Sequence, residues 1–305
     1  MYPIYLDLKI DFVSKMKVAA LISLALILIG IASLLIHHGP NWGVEFVGGT
    51  EVQLKFQKSI ETDVVRKIME GARYPAESVQ QLGLPQDKEY LLRFSPDVVG
   101  FDKIELFRSG LNKLIAGNGL FRGATVQRID FIGPQIGKEL IRKAFFAIIL
   151  GWIGIMLYLM IRFEFSFALG AVIAIIHDIL ITLGAIFFLD KEFTLVVVAA
   201  LLTVIGYSVN DTIVIFDRIR ENLGKTQKIG FRELVSESLN QTLSRTILTY
   251  FTVLLVLIAL FLLGGAVIHD FAFTLMVGIT AGTYSSIFMA SAFVIYWRDK
   301  RASSA

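Results

Sequence analysis

The sequence contains no cysteine and little proline and glycine. Of its 305 residues, 0 are Cys, 6 are Pro and 25 are Gly. The missing thiols exclude disulfides, iron–sulfur clusters and cysteine catalysis. The low Pro and Gly content excludes collagen-like and low-complexity chains. Charged residues are also scarce, and a net charge of +3 provides no basic surface of the kind that nucleic-acid binding requires.

Apolar residues are present in large excess. They make up 55% of the chain, and the mean hydropathy is +0.68. About 20 consecutive apolar residues in a helix cross the hydrocarbon core of a bilayer. Six segments reach this length, at residues 18–36, 144–161, 165–189, 193–216, 246–263 and 271–297. The sequence therefore predicts an α-helical membrane protein with six transmembrane helices.

The distribution of Lys and Arg predicts the orientation of these helices. The first segment is flanked by Lys15 and Lys17, as in a signal peptide, but no small-residue cleavage site follows it, so we expect a membrane anchor. Short loops on one side hold 13 Lys and Arg, and those on the other side hold only Lys191. Because the basic side is cytoplasmic, we expect both termini, residues 1–17 and 298–305, in the cytoplasm.

Residues 37–143, between the first two spans, have the pattern of a small α+β domain outside the membrane. Strand periodicity appears at 50–56, 78–84, 89–95 and 124–131, and helix periodicity at 60–72 and 101–115. The order βαββαβ predicts a ferredoxin-like domain. Since it has no recognisable nucleophile, carboxylate pair or phosphate loop, we expect binding or positioning rather than enzyme activity.

Ionisable and polar residues stand inside two predicted spans. His177 and Asp178 lie in the third span, and Asn210 and Asp211 lie in the fourth. A charge in a span costs about 2.5 to 3.5 kcal/mol on insertion, so such residues usually face the bundle interior or a water-filled path. Arg245 begins the fifth span at a depth from which it can reach Asp211. A carboxylate whose pKa is set by a movable guanidinium can load and release a proton.

The same residues also admit a structural interpretation. Asp211 paired with Arg245 would hold two helices together without proton flow, and His177 and Asp178 would serve as buried hydrogen-bonding groups. The histidines show no metal-ligand spacing, so no metal or other cofactor is expected.

Residues 144–297 carry two further packing patterns. Gly278 and Gly282 form a GxxxG step, and Gly206 thins the fourth span, which indicates close helix contacts. Apolar residues recur at helical spacing over residues 228–243, opposite charged ones. This pattern predicts a separate amphipathic helix lying on the cytoplasmic face.

Several motifs are similar to those of one transporter family. Residues 43–50 resemble the stretch Gly-(Ile/Val)-Asp-Phe-x-Gly-Gly-Thr, with Glu45 in place of the usual Asp, and residues 132–140 resemble Val-Gly-Pro-x-(Ile/Val)-Gly-x-Glu-Leu. Further matches cover residues 177–184, 206–212, 216–222 and 240–246. The residues that we expect to shape the backbone of these motifs are Gly43, Glu45, Gly48, Gly49, Gly133, Pro134, Gly137 and Gly206.

On these motifs the chain resembles the SecF subunits of the SecDF protein-export complex, within the RND (resistance, nodulation, division) superfamily. The resemblance implies half of an RND-type bundle in the bacterial cytoplasmic (inner) membrane, with the domain at 37–143 periplasmic. It implies pairing with SecD and association with the SecYEG channel, small accessory membrane proteins and unfolded preprotein. The implied work is to use the proton-motive force in late export, with protons as coupling ion.

The resemblance also links Asp211 and Arg245 to proton passage. With the ionisable and polar residues beside them, the predicted proton-conduction set is Asp211, Arg245, Asn210, Asp178 and His177. Two alternatives stand beside this one. In the first, the chain is a non-conducting assembly subunit. In the second, it is a half-size RND exporter of lipids or small molecules, and such an exporter is expected to have a larger and more apolar outer domain.

Overall fold

Six long helical segments form most of the structure, a computed structural model that describes residues 10–82, 86–225 and 229–303. Each is long and apolar enough to cross a membrane, so the predicted number of spans is confirmed for the described part of the chain. The first five are α1 (Phe12–Ile36), α5 (Pro134–Arg162), α6 (Phe165–Phe188), α7 (Leu195–Lys225) and α8 (Phe231–Leu263). The sixth consists of α9 (Ala266–Ser285), a π-helical turn (Ser286–Ala290) and α10 (Ser291–Ser303).

A four-stranded antiparallel sheet with two helices lies between α1 and α5. A short helix α2 (Val44–Val47) precedes the first strand. The elements are β1 (Gly49–Lys55), α3 (Thr62–Gly71), β2 (Ser78–Leu82), β3 (Glu89–Phe94), α4 (Ile104–Gly117) and β4 (Thr125–Ile132). The strand order is β2-β3-β1-β4, which confirms the predicted ferredoxin-like fold. The end of the predicted strand 78–84 falls partly outside the described residues.

The two faces of this sheet differ in chemistry because side chains alternate along a strand. Val52 and Leu54 of β1, with Leu92 of β3, are buried in the core beneath α3 and α4. Glu51 of β1 and Arg93 of β3 lie on the opposite face. That face is turned toward the membrane bundle, so the domain meets the bundle with polar groups. We call this end of the bundle the domain end.

The helices extend beyond the predicted spans wherever their ends are polar. Helix α1 begins at Phe12 rather than at residue 18, and the Asp11 carboxylate accepts a hydrogen bond from the Ser14 amide at 3.1 Å as its cap. Helix α5 begins at Pro134, ten residues before the predicted span, and α7 continues to Lys225. Hydropathy detects only the apolar middle of such helices, so the predicted spans leave out the polar turns at the helix ends.

The separate amphipathic helix predicted at 228–243 is not observed. From Phe231 onward the segment is the first half of α8, which continues without a break to Leu263. Its apolar residues Leu234, Val235 and Leu239 are buried in the protein core that α1 and α7 share, not at a lipid surface. The prediction was wrong because a stripe of this kind fits a protein neighbour as well as a membrane interface.

Glycines set the distance between several helices. A Cβ atom built on Gly278 would lie 2.2 Å from the Val204 side chain, and one on Gly282 would lie 3.0 Å from Ser208. The GxxxG step is therefore the contact of α9 with α7, as the sequence predicts. Gly206 has no such role, since a Cβ atom there meets nothing within 4 Å.

The contact of α1 with α6 supplies a testable prediction of stability. A Cβ atom on Gly30 would lie 2.5 Å from the Gly184 Cα atom, and backbone cannot move aside as a side chain can. We expect Gly30→Val to lower the free energy of unfolding by about 2 kcal/mol or more. Thermal denaturation of the purified protein measures this loss. Gly154→Val is the matched control, because a Cβ atom there has open space; equal losses in both variants would contradict the prediction.

Candidate functional site

Asp178 lies at the centre of a hydrogen-bond network inside the bundle. Its side chain is fully buried, at 0% exposure. The hydroxyl groups of Ser208 on α7 and Ser285 on α9 donate to its Oδ2 atom at 2.5 and 2.9 Å. The Nδ1 atom of His177 lies 2.9 Å from Oδ1. The carboxylate therefore joins three helices and has all its partners in place.

His177 extends this network to α1. Its Nε2 atom lies 2.9 Å from the Ser23 hydroxyl, and its ring stacks on Tyr284 with centroids 6.0 Å apart. The Tyr284 hydroxyl donates to the Ala19 carbonyl at 2.6 Å. The two ring nitrogens of His177 therefore face the Asp178 carboxylate on one side and the Ser23 hydroxyl on the other.

Asp211 occupies a second buried position on α7, one turn beyond Ser208. It is 3% exposed, and its Oδ2 atom accepts a hydrogen bond from Thr283 of α9 at 3.3 Å. Asp211 has fewer hydrogen-bond partners than Asp178, because within the described residues this is the one side-chain hydrogen bond to its carboxylate. A buried carboxylate with so few hydrogen-bond partners is costly to keep ionised.

Arg245 and Asn210 do not pair with Asp211 in the structure. Among the described residues, no Arg245 nitrogen lies within 4.0 Å of the Asp211 carboxylate, although the guanidinium is close enough for its charge to act there. Both Arg245 and Asn210 are exposed on the surface of the chain. In this part of the structure, the buried Asp211 carboxylate therefore has the Arg245 cation nearby but forms no ion pair with it.

A π-helical turn in the sixth span lies beside both carboxylates. Ser285, which binds Asp178, immediately precedes the turn, and Ser286 within it lies 2.7 Å from the Thr212 hydroxyl. Turns of this type insert a residue into a helix and are frequent at functional sites. Sequence reasoning missed Thr283, Ser285 and Ser286, since small hydroxyl residues in an apolar span are not distinctive until the turn brings them together.

The motif at residues 43–50 forms the link between α1 and the sheet. Gly48 and Gly49 have φ angles of 82° and 132°, which side chains rarely adopt. A Cβ atom on Gly49 would also lie 2.5 Å from the Phe94 carbonyl oxygen. These two glycines allow the chain to turn from α2 directly into β1.

The second loop motif packs the start of α5 on α2. Gly133 caps this helix and Pro134 is its first residue, where proline is well suited. A Cβ atom on Gly137 would lie 2.5 Å from the Phe46 carbonyl oxygen, so only glycine lets the two backbones approach this closely. The two loop motifs are therefore in contact, and they join the domain to the bundle.

Gly43 and Glu45 bind the loop between α6 and α7. The Gly43 amide donates to the Phe193 carbonyl at 2.9 Å, and Oε2 of Glu45 accepts from the Leu195 amide at 3.3 Å. Burial raises the pKa of Glu45 above its ordinary value, and this backbone hydrogen bond opposes the rise. Glu45 therefore lies where it can hold the start of α7.

Comparisons with known proteins bear on this architecture. Residues 116–300 match the family described as protein export membrane protein SecD/SecF, C-terminal, and residues 33–60 match the SecD/SecF GG motif. The chain is 41% identical to a protein translocase subunit SecF of Calditerrivibrio nitroreducens, over 97% of this chain and 96% of that one. It is 39% identical to a protein translocase subunit SecDF of Thermus thermophilus, over 86% of this chain and 35% of the relative.

A solved structure agrees with these matches. The crystal structure of SecDF from Thermus thermophilus, described as a translocon-associated membrane protein, superimposes with a TM-score of 0.86 at 35% sequence identity. The superposition covers 97% of this chain and 40% of that chain, so the present chain spans less than half of the SecDF length. The six-helix bundle and its ferredoxin-like domain therefore resemble one part of a longer molecule.

Proposed function

The chain belongs to the SecD/SecF family of protein export membrane proteins, and from this membership we propose that it couples the proton-motive force to late steps of preprotein export. In this proposal it works with a SecD partner at the SecYEG channel and its accessory membrane proteins. Protons are the coupling ion, and no enzymatic step or cofactor is involved.

The observation that carries the proposal is Asp211. It is a buried carboxylate in the middle of a membrane helix. Within the residues that the structure describes, it accepts one side-chain hydrogen bond, from Thr283, and it makes no ion pair with the nearby Arg245. A proton that moves down a membrane potential releases about 2.3 kcal/mol per 100 mV. A group that alternates between a free acid and an ion pair with Arg245 can convert this energy into a movement of α7 against α8.

The partner and the orientation follow from the same family membership. In the Thermus relative, the protein translocase subunit SecDF, the region similar to this chain is joined to a further part of the same polypeptide. We propose that a SecD chain supplies this other half and covers the exposed Asn210 and Arg245. We further propose that the protein lies in the bacterial inner membrane with both termini cytoplasmic and the ferredoxin-like domain periplasmic.

A purely structural role is better supported for His177 and Asp178 than for Asp211. Every partner of Asp178 is already in place, and the network joins α1, α6, α7 and α9. These contacts favour a helix clamp, that is, a hydrogen-bond network that holds these four helices together. The assembly-subunit alternative extends this role to all membrane charges, and the two hypotheses differ in what happens when the proton gradient is removed.

Preprotein export in inverted membrane vesicles tests the proposal. Vesicles that contain the Sec channel and the SecD partner are prepared with or without this chain, and export is begun with ATP, which is then depleted. We expect the chain to raise the amount of fully protected preprotein and a protonophore to abolish that increase. An increase that survives the protonophore would refute proton coupling and support the assembly subunit.

A further inference from the structure

The face of the sheet that is turned toward the bundle carries a row of polar side chains across all four strands. Ser78 of β2 pairs with Arg93 of β3, Arg93 pairs with Glu51 of β1, and Glu51 pairs with Asp130 of β4. Partners in such pairs have their Cβ atoms about 5 Å apart, so their charges act directly on one another. The row places the positive charge of Arg93 next to Glu51, between the two edges of the sheet.

The loop between α6 and α7 places Glu192 against this row. Glu192 is 5% exposed, and its Oε1 atom accepts hydrogen bonds from Gln80 at 3.1 Å and Ser78 at 3.5 Å. The Arg93 guanidinium lies 3.7 Å from the same oxygen and also donates to the Trp42 carbonyl. The interface is therefore a third attachment of the domain to the bundle, besides the links through α2 and α5.

Negative charge exceeds positive charge at this interface. A small cavity of about 80 Å³ lies between the sheet and the bundle, and carboxylates from four elements line it. The carboxylates of the interface are Glu45 of α2, Glu51 of β1, Asp130 of β4, Glu192 of the loop and Asp270 of α9. The cations are Arg93 of β3, Arg128 of β4 and Lys191 of the loop.

Each of these cations already binds a carboxylate other than Glu51. Lys191 binds Asp270 at 2.7 Å, Arg128 binds Asp130, and Arg93 is shared between Glu192 and Glu77. Arg93 also attracts Glu51, but its charge is shared with Glu192 and Glu77. Within the described part of the chain, an ionised Glu51 therefore adds a negative charge beside Glu192 and Glu45 that has no cation of its own. Like charges brought together in this way oppose close packing unless one of them is protonated.

We propose that this interface is a proton-binding latch, in which a proton on Glu51 holds the sheet against Glu192 and its release to solvent lets the domain tilt away from the bundle. The proposal goes beyond the proposed function and does not depend on it, because it requires only the interface between the sheet and the loop. Its ligand is a proton taken from the side of the membrane on which the domain lies.

The direction of the pH dependence follows from burial. Burial first, and then the charges of Glu192 and Glu45, raise the pKa of Glu51 from 4.5 to about 7. Burial also raises the pKa of Glu192. An acid whose pKa is raised in the docked state binds its proton more tightly there, so docking is linked to proton uptake. The stabilisation is complete below pH 4.5 and is lost as the pH rises through about 7.

Because the chain contains no cysteine, spin labels can be attached at introduced cysteines without first removing native ones. Spin labels are attached at Ser109→Cys on exposed α4 and at Leu263→Cys at the domain end of α8, in the full chain assembled with its SecD partner in lipid vesicles. We expect a narrow distance distribution at acidic pH that broadens with a midpoint near pH 7. A distribution that does not change from about pH 5 to pH 8.5 would overturn the latch.

Two variants and one control variant test whether the proton is on Glu51. Glu51→Gln is a neutral isostere, so we expect the distance distribution to stay narrow over the whole pH range. Glu70→Gln, an exposed residue of α3, is the control and keeps the wild-type response. Glu192→Gln removes the neighbouring charge, so its midpoint falls below that of the wild type. A wild-type response in Glu51→Gln, or an unshifted midpoint in Glu192→Gln, would overturn the assignment. Export activity is not read in this experiment, so failure of the latch leaves the proposed function untouched.

Discussion

Asp211→Asn is expected to abolish the part of preprotein export that depends on the proton-motive force. Asparagine keeps the shape and the hydrogen bond from Thr283, but it cannot take up or release a proton. Positioned proton-transfer groups typically contribute about a hundredfold or more to the rates of the steps they serve, so we expect proton flux to fall by about that factor. Export begun by ATP is expected to continue at the level seen with a protonophore.

Two further variants separate proton transfer from packing at this position. Asp211→Glu keeps an ionisable group on a longer arm, and we expect it to retain part of the flux. Asp217→Asn removes a carboxylate six residues along the same helix that binds Arg162 at the surface, and we expect wild-type export from it. Full export by Asp211→Asn, in a complex that assembles normally, would contradict the role given to Asp211.

Asp178→Ala is expected to have the largest effect on stability. It leaves His177 and Ser208 without their buried acceptor, whereas Ser285 keeps the Gly282 carbonyl at 3.1 Å. Each buried donor left unpaired costs about 1 to 3 kcal/mol, so we expect the free energy of unfolding to fall by about 3 kcal/mol or more. Thermal denaturation in lipid nanodiscs measures this loss as a lower midpoint temperature.

Two further variants serve as comparisons for Asp178→Ala. Asp178→Asn keeps a carbonyl oxygen that can accept from the two serines, and we expect it to recover part of the stability. Asp299→Ala breaks an exposed ion pair with Arg232, for which we expect a loss of about 1 kcal/mol or less. If Asp178→Ala were as stable as Asp299→Ala, the network would not be a helix clamp.

The fold was largely predictable because each part of it leaves a periodic pattern. The alternation of Val52 and Leu54 with polar neighbours predicts β1, and the change to helical spacing at Val65 and Met69 predicts α3. The continuity of α8 was not predictable, because hydropathy falls at the polar start of this helix while helical spacing does not. Only the neighbouring helices decide whether its apolar stripe meets protein or lipid.

The candidate site was predictable in its rare residues and not in its contacts. Charges in apolar sequence are conspicuous, so Asp178 and Asp211 could be selected directly. Their environments differ because of hydroxyl groups on α9 that are more than 70 residues away along the chain. The interface of Glu192 with Arg93 was missed for the same reason, since a single acid in a short loop gives no signal until the sheet packs on it.

Proton flux and preprotein export recorded together test the central claim most directly. Inverted vesicles that contain this chain and its SecD partner are compared with vesicles that carry Asp211→Asn or Arg245→Ala at matched levels of assembled complex. If Asp211 is the proton carrier and Arg245 its alternating partner, flux and proton-driven export will fall together in both variants. Export that persists at the wild-type level in Asp211→Asn vesicles although proton flux is lost would contradict the account and leave the membrane charges as packing elements of an assembly subunit.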